Sequence, residues 1–114
     1  MGKLIEEFNG YREKMNARIS ETADTNIKRF FALDTTSYSE GALPVKTKEM
    51  LGLVASMVLR CDDCIKYHLG KCREAGVSSE EMNEVFMIAM LVGGSIVIPH
   101  YRRAVEYWDE LVEF

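Results

Sequence analysis

The segment RCDDCIKYHLGKC, residues 60–72, contains the side chains of this sequence best suited to chemistry. It places Cys61 and Cys64 three positions apart and His68 four positions further on. On a helix that turns by about 100° per residue, Cys64 lies about 60° from Cys61, and His68 lies about 40° from Cys64. The spacing therefore predicts that two thiols and an imidazole form one cluster.

Such a cluster is suited to thiol redox chemistry. The thiolate is the nucleophile, and it is favoured at a helix N-terminus or beside an imidazole that takes the proton. We expect Cys64 to attack a peroxide with His68 as base, and Cys61 to condense with the resulting sulfenic acid. The product is a Cys61–Cys64 disulfide that an external dithiol must reduce. Asp62 and Asp63 oppose the thiolate, because nearby negative charge disfavours ionisation, so we expect moderate reactivity.

Two other interpretations of the motif are inert burial and a metal site. Inert burial is a costly use of three reactive groups at one helix start. The pattern CxxCxxxH offers three zinc ligands, but one short helix cannot easily wrap them into a tetrahedron, and no second Cys/His pair supplies a fourth. We therefore predict no metal and no cofactor, and keep a structural zinc-binding or oligomeric interaction module as an alternative.

Two further reactive side chains receive structural interpretations. Cys72 lies on the same stripe as His68 but has no base of its own, and we interpret it as a small buried hydrophobe. His100 stands at a predicted helix start among Arg102 and Arg103. We assign it a capping or interface role in preference to catalysis.

The segments around the motif are predicted to be helical throughout. Apolar residues recur at steps of three and four, and no window alternates apolar and polar residues as a strand does. Pro44, Gly76 and a capping box from Ser78 to Glu81 mark boundaries. The prediction in chain order is helices around Leu4–Ile19 and Ile27–Leu33, a loop over Asp34–Pro44, and helices over Val45–Arg60, Cys61–Ala75, Ser78 to a break at Gly93-Gly94, and about Ser95–Val112.

Composition and charge restrict the classes of partner. The 114 residues include 14 basic and 18 acidic side chains, for a net charge of −4 without a basic block, so we expect no nucleic-acid partner. The charged start MGKLIEEFNGYREKM lacks the features of a secretory signal, so we expect a cytoplasmic protein without a disulfide scaffold. The apolar run 86–99 is too short for a bilayer, and we expect it to be buried in protein and not in a membrane. The length predicts a single domain over 1–114.

The motif and its flanking segments resemble the AhpD-like alkylhydroperoxidase branch of the carboxymuconolactone decarboxylase family. Redox members of that family carry a glutamate, eleven intervening residues, then CxxC, three residues and a histidine. The matching residues here are Glu49, Cys61, Cys64 and His68. The segments EGALPVKTKEM and GVSSEEMNEVFMIAMLVGG also look like family segments, so the resemblance runs over about 30–99.

The resemblance implies a fold, an assembly and a role for each residue of the site. The fold is an all-helical bundle whose protomers form homo-trimers or hexamers, which agrees with an apolar run that a small domain cannot cover alone. Glu49 is implied to be the outer member of a proton relay that passes through His68 to the cysteines. Cys64 is implied to be the buried nucleophile, and Cys61 the more exposed thiol that exchanges with a partner.

The activity implied by the resemblance is a thiol-dependent peroxidase or disulfide reductase in antioxidant defence. Its substrate is a hydroperoxide or a disulfide, and its reductant is a dithiol. The decarboxylase members of the family lack the cysteine pair, and the presence of that pair here argues against lactone decarboxylation. A carboxymuconolactone decarboxylase-type lyase is kept as an alternative, distinguished by carbon dioxide release that survives replacement of Cys61 by serine.

Overall fold

The structure, a computed structural model that describes residues 2–113, consists of helices joined by short turns. The helices are α1 (Lys3–Thr22), α2 (Thr25–Ser37), α3 (Val45–Val58), α4 (Asp62–Glu74), α5 (Ser79–Gly93) and α6 (Ile98–Glu113), with a 3₁₀ turn at Ser95–Val97 before α6. No strand occurs within residues 2–113, so the predicted all-α class is confirmed. None of the helices in these residues is long and apolar enough to cross a membrane.

Local sequence signals fix the ends of the helices that carry the site. Ser78 accepts a hydrogen bond from the Glu81 N–H, and the Glu81 carboxylate accepts one from the Ser78 N–H, which completes the predicted capping box of α5. Gly76 follows α4 with a φ of 87°, and Gly94 follows α5 with a φ of 81°. Both are left-handed conformations that favour glycine, so the predicted breaks at these positions are confirmed.

The second helix extends further than predicted. It continues through Ser37, so the first residues of the predicted loop Asp34–Pro44 are helical and that part of the prediction is wrong. The hydroxyl groups of Thr35, Thr36 and Ser37 each donate to a carbonyl one turn earlier. These polar side chains are thereby satisfied within the helix and do not end it. The loop is confined to 38–44.

The hydrophobic core lies between α3, α4, α5 and α6. α3 packs on both α4 and α5, α6 packs on α4, and the start of α1 lies against α6. The buried apolar side chains form one cluster, to which α1 adds Ile5 and Phe8. Glu49 is also buried and shares the inward face of α3 with Leu53 and Met57. The packing of the core therefore carries a carboxylate to the contact between α3 and α4.

Two apolar surfaces remain outside this core. Because the run 86–99 is apolar on all sides, only one side of it can face the core. Phe86, Ala89 and Val97 of this run are buried within the chain, and its outer face is exposed in the isolated chain, so burial of that face against other protomers stays a prediction. The large apolar residues exposed on these two helices are Met87, Ile88, Leu91 and Val92 on α5, and Ile27, Phe30, Phe31 and Leu33 on α2.

Cys72 belongs to the core, which confirms its interpretation as a buried hydrophobe. Its relative accessibility is 0% and it is a free cysteine. Burial, with a further contribution from the charge of Glu49, raises the pKa of the Cys72 thiol to about 12. The thiol is therefore protonated and unreactive in the folded protein at neutral pH.

This environment makes Cys72 a reporter of unfolding. Iodoacetamide added to the reduced native protein should modify two cysteines, and mass spectrometry should find the third only after denaturation. The pKa of the Cys72 thiol is about 9 in the unfolded chain and about 12 in the folded protein. Its contribution to the free energy of unfolding is therefore complete below pH 9 and is lost as the pH rises towards 12. Rapid native labelling of all three cysteines would contradict this, and Cys72→Ala should remove its share of the alkaline loss.

Candidate active site

The two cysteines lie where α3 ends and α4 begins. The Arg60 N–H donates to the Met57 carbonyl and the Cys61 N–H donates to the Ser56 carbonyl, each at 3.0 Å. Arg60 has a φ of 60°, so this is a Schellman cap with a non-glycine residue in the left-handed position. Cys61 is also the N-cap of α4, since its sulfur accepts a hydrogen bond from the Cys64 N–H at 3.3 Å. The two sulfurs are paired as a disulfide, with Cα atoms 5.3 Å apart.

The exposure of the cysteines is the reverse of that implied by the resemblance. Cys64 is exposed and Cys61 is half-buried, so the expectation of a buried Cys64 and a more exposed Cys61 is wrong for this chain. Cys61 occupies the tight turn between two packed helices, whereas Cys64 lies one turn along α4. Cys64 and His68 line the same cleft, which has a volume of about 340 Å³. A small molecule in that cleft can reach the sulfur and the imidazole together.

His68 is held by Glu49 at the contact between α3 and α4. The distance from His68 Nδ1 to Glu49 Oε1 is 2.8 Å, and both residues are buried. An ionised carboxylate only accepts hydrogen bonds, so Nδ1 carries the proton that it donates to Glu49. Nε2 is left with a lone pair that can accept a proton from a thiol. The structure thus brings together the glutamate and the histidine that were predicted as parts of the site.

Tyr38, to which the sequence assigned no role, lies against the same imidazole. Its Oη is 3.5 Å from Nε2, and the two ring centroids are 5.2 Å apart. Lys48 holds this segment, because its Nζ donates to the carbonyls of Ser37 at 2.9 Å and Ser39 at 2.6 Å. Burial, followed by the charge of Glu49, raises the pKa of Tyr38, so its hydroxyl group is protonated and can donate to Nε2.

Gly52 supplies the space that this arrangement needs. A Cβ atom at this position would lie 2.7 Å from Cε1 of His68 and 2.7 Å from Oη of Tyr38. A side chain of any size would therefore displace one of the two rings. The available sequence signal was a lone glycine inside an apolar helical segment, three residues after Glu49, which is typical of a close approach.

A second cluster of charges surrounds Asp62 in the first turn of α4. Its Oδ1 lies 2.8 Å from Nδ1 of His100, and its Oδ2 accepts a hydrogen bond from Nε of Arg103 at 3.0 Å. Both partners belong to α6, so the cluster joins the starts of the two helices. This places His100 at a helix–helix contact, in line with its predicted capping or interface role. The arginine offsets the carboxylate of Asp62, which therefore opposes a thiolate less than expected.

The charge balance around Asp62 can be tested through the reduction potential of the cysteine pair. Arg103→Met leaves the Asp62 charge without its arginine partner, which destabilises the thiolate and hence the reduced form. We expect the potential to become more negative by about 10–30 mV, a change of up to about tenfold in the equilibrium constant. Equilibration in glutathione buffers with thiol counting measures this shift.

The matched control is Arg102→Met, because Arg102 is the exposed neighbour in the same helix. It removes the same net charge without touching Asp62. Asp62→Asn should move the potential in the opposite direction, since it removes the negative charge itself. Equal potentials for the Arg102 and Arg103 variants would show that the charge cluster has no effect on the cysteines.

Fold and site together define an all-α protein in which a buried glutamate–histidine pair stands beside a cysteine pair at a helix start. The sequence model of the Carboxymuconolactone decarboxylase family matches residues 26–107, and the chain belongs to this family. All four predicted site residues lie within the matched range. Within residues 2–113, no three His, Cys, Asp or Glu side chains are grouped so that they could hold a metal ion.

Several relatives share this fold or sequence. TM1620 of Thermotoga maritima, a carboxymuconolactone decarboxylase family protein described with a possible role in the antioxidative response, has 55% identity and a TM-score of 0.90, over 94% of this chain and 91% of its own. The family protein lpg0406 of Legionella pneumophila has 22% identity and a TM-score of 0.83, over 93% and 97% of the two chains, and shows the fold alone. Uncharacterized protein 4 of the cox locus of Paracoccus denitrificans is 26% identical over 101 residues, which are 86% of this chain and 91% of the relative.

Proposed function

We propose that the protein is an alkylhydroperoxidase-like oxidoreductase that reduces hydroperoxides or disulfides with a Cys61–Cys64 dithiol. The observation that carries this proposal is that Cys64 and His68 line one cleft while the sulfur of Cys61 is paired with that of Cys64. An electrophile in the cleft meets the attacking sulfur and its base together. The resolving thiol already lies within bonding reach.

The proposed cycle is a two-electron reduction. The Cys64 thiolate attacks the terminal oxygen of a hydroperoxide, the O–O bond breaks, and the alkoxide leaves as an alcohol with a proton returned by His68. The Cys61 thiol then attacks the sulfenic acid on Cys64, which releases water and forms the disulfide. An external dithiol supplies two electrons and two protons to restore both thiols, and is itself oxidised to a disulfide.

Glu49 acts in this cycle as a positioning residue. Its hydrogen bond to Nδ1 selects the tautomer in which Nε2 is the base, and its negative charge stabilises the imidazolium formed after proton transfer. The contact of Tyr38 with Nε2, at 3.5 Å, is at the long limit of a hydrogen bond. That partner can therefore give way to a thiol or to a substrate oxygen.

The family and the predicted location support an antioxidant role. The relative TM1620 is described with a possible role in the antioxidative response. The cytoplasm, which we propose as the location, is a reducing environment that keeps such a pair cycling through the dithiol form. The physiological reductant in this proposal is a dithiol that reaches the exposed side of α4.

Thiol counting and site variants test the proposed cycle. One equivalent of an organic hydroperoxide should remove two free thiols from the reduced protein and lower its mass by two hydrogens. Cys64→Ser should abolish peroxide consumption, whereas Cys61→Ser should accumulate a sulfenic acid on Cys64 that dimedone traps. His68→Gln should slow sulfur oxidation by about 100-fold, because it removes the general base. Glu49→Gln should slow it less.

The control for these variants is Cys72→Ala, which removes the third thiol outside the cleft. It should keep full peroxide consumption per folded molecule. The proposal would be contradicted by a protein that retains all three thiols in the presence of peroxide and whose Cys64→Ser variant consumes peroxide as the wild type does. Carbon dioxide release from a lactone that survives Cys61→Ser would instead favour the lyase, and about one zinc per chain with collapse on chelation would favour the structural module.

We further propose that the protein works as a homo-trimer or hexamer. The outer face of α5 and the apolar side of α2 expose eight large apolar residues in the isolated chain. Surfaces of this kind are typical of protein–protein contacts. Sedimentation velocity on the wild type should give a mass of three or six chains. A double substitution such as Leu91→Asp with Ile88→Asp should shift the protein towards the monomer, and a wild-type monomer at micromolar concentration would overturn the assembly.

A further inference from the structure

We propose that the cleft beside α1 binds an anionic organic substrate, so that the preferred hydroperoxide carries a carboxylate. The carboxylate binds at Arg12, and the peroxide group reaches Cys64. This inference rests on the proposed peroxide reduction and specifies the class of hydroperoxide. It is carried by a cluster of cations around a cavity that shares Arg12 with the cleft of Cys64.

The cavity lies between α1, α4 and the C-terminal part of α6 and has a volume of about 470 Å³. Its cationic lining residues are Arg12, Lys66, Lys71 and Arg73, and its one anionic lining residue is Glu74. The whole chain has a net charge of −4, so an excess of cations here runs against the composition of the protein. A local positive field of this kind favours an anionic ligand.

Most of these cations are not neutralised by the protein. Lys71 forms an ion pair with Glu74 at 3.4 Å. Within residues 2–113, no carboxylate lies within ion-pair distance of Arg12, Lys66 or Arg73. Three positive charges around one cavity are therefore available to a ligand.

Aromatic rings hold the cations at the cavity wall. The guanidinium carbon of Arg12 lies 4.4 Å from the centroid of the Tyr67 ring and 5.8 Å from that of Phe8. Lys66 Nζ lies 5.9 Å from the Phe8 centroid. A cation held over a ring keeps its N–H groups free, and a guanidinium can bind a carboxylate with two hydrogen bonds. Arg12 is thus available as a carboxylate receptor at the edge of both spaces.

The cation cavity and the cleft of the cysteine adjoin each other. Phe8, Arg12 and Tyr67 line both the 470 Å³ cavity and the 340 Å³ cleft that contains Cys64. Tyr67 follows Cys64 by three positions on α4, which is a rise of about 4.5 Å along the helix axis. A substrate bound at the guanidinium over Tyr67 therefore needs only a few carbon atoms to place its peroxide at the sulfur.

The charges around these two spaces set the direction of binding. Asp34 and Asp63 line the cleft with Cys64, whereas Lys66, Lys71 and Arg73 line the adjoining cavity and Arg12 lines both. An anionic group is repelled at the aspartates and attracted at the cations. Apolar surface from Phe8 and Tyr107 in the cavity, and from Met15 in the cleft, is available to the hydrocarbon part of the substrate.

A matched pair of substrates tests this assignment. The first is cumene hydroperoxide with a carboxylate in the para position, and the second is the methyl ester of the same compound. For the wild type we expect kcat/KM to be about tenfold higher for the acid than for the ester, which is the order expected of one charged hydrogen-bonded contact. Salt at 0.5 M should reduce this preference, because it screens the cations.

The variant Arg12→Met keeps an apolar stem against Tyr67 and removes the charge. It should lower the acid-to-ester ratio about tenfold, to a value near one. The matched control is Arg18→Met, since Arg18 lies on the same helix, is exposed and, among residues 2–113, bonds only to Thr22. It should keep the wild-type ratio.

The outcomes separate this inference from the proposed function. Failure of the wild type to reduce either compound would contradict the proposed peroxide reduction itself. Reduction of both with equal kcat/KM, or a ratio that Arg12→Met leaves unchanged, would overturn the anionic site while peroxide reduction stands. A second measurement does not depend on turnover: calorimetry should detect cumate, the carboxylate without the peroxide, binding to Cys64→Ser and not to Cys64→Ser with Arg12→Met.

Discussion

The hydrogen bond between Glu49 and His68 joins α3 to α4 inside the protein, and these two helices place most of the other residues of the site. Removing one partner of this buried hydrogen bond to a carboxylate costs about 3 kcal/mol, because the other partner is left unsatisfied in a low dielectric. The interaction therefore couples stability to chemistry. The contact that closes the core also fixes the imidazole, its tautomer and its distance from the sulfur one turn earlier on α4.

Charge is distributed unevenly around this interaction. Asp62 faces α6, where Arg103 and His100 offset it, so the carboxylate between the two cysteines acts less on the sulfurs than its position in the sequence suggests. On the side of α4 that faces α1, Asp34 and Asp63 share a cleft with Cys64, and most of the cations surround the adjoining cavity. The field that a ligand meets is therefore local, and the net charge of the chain is a poor guide to it.

The features that depend only on residues close together in the sequence could be predicted from the sequence. The capping box at Ser78 and the spacing of Cys61, Cys64 and His68 are set by local helical geometry, and the structure retains them. The pairing of Glu49 with His68 spans 19 positions and came from the family resemblance, because spacing alone assigned Glu49 no role in the site. The α3–α4 packing then supplied the contact.

Other features depend on tertiary packing and carried no local signal. The contacts of His68 with Tyr38 and of Asp62 with His100 span 30 and 38 positions. Nothing near Tyr38 in the sequence indicates that the loop folds back over α3. The exposure of the two cysteines was inferred wrongly for the same reason, since it depends on how closely the turn between α3 and α4 packs. The two adjoining cavities require α1 to lie against α4, which amphipathic periodicity does not specify.

The ammonium group of Lys48 binds two main-chain carbonyls on either side of Tyr38, and this contact affects how the site tolerates change. Every residue type carries the same carbonyl group, so substitutions at Ser37 and Ser39 leave the anchoring atoms in place. Lys48 is adjacent to Glu49 and one helical turn from Gly52, so a single rigid helix delivers the anchor, the carboxylate and the space for the two rings. Substitutions can therefore accumulate in the loop during evolution while Tyr38 keeps its contact with His68.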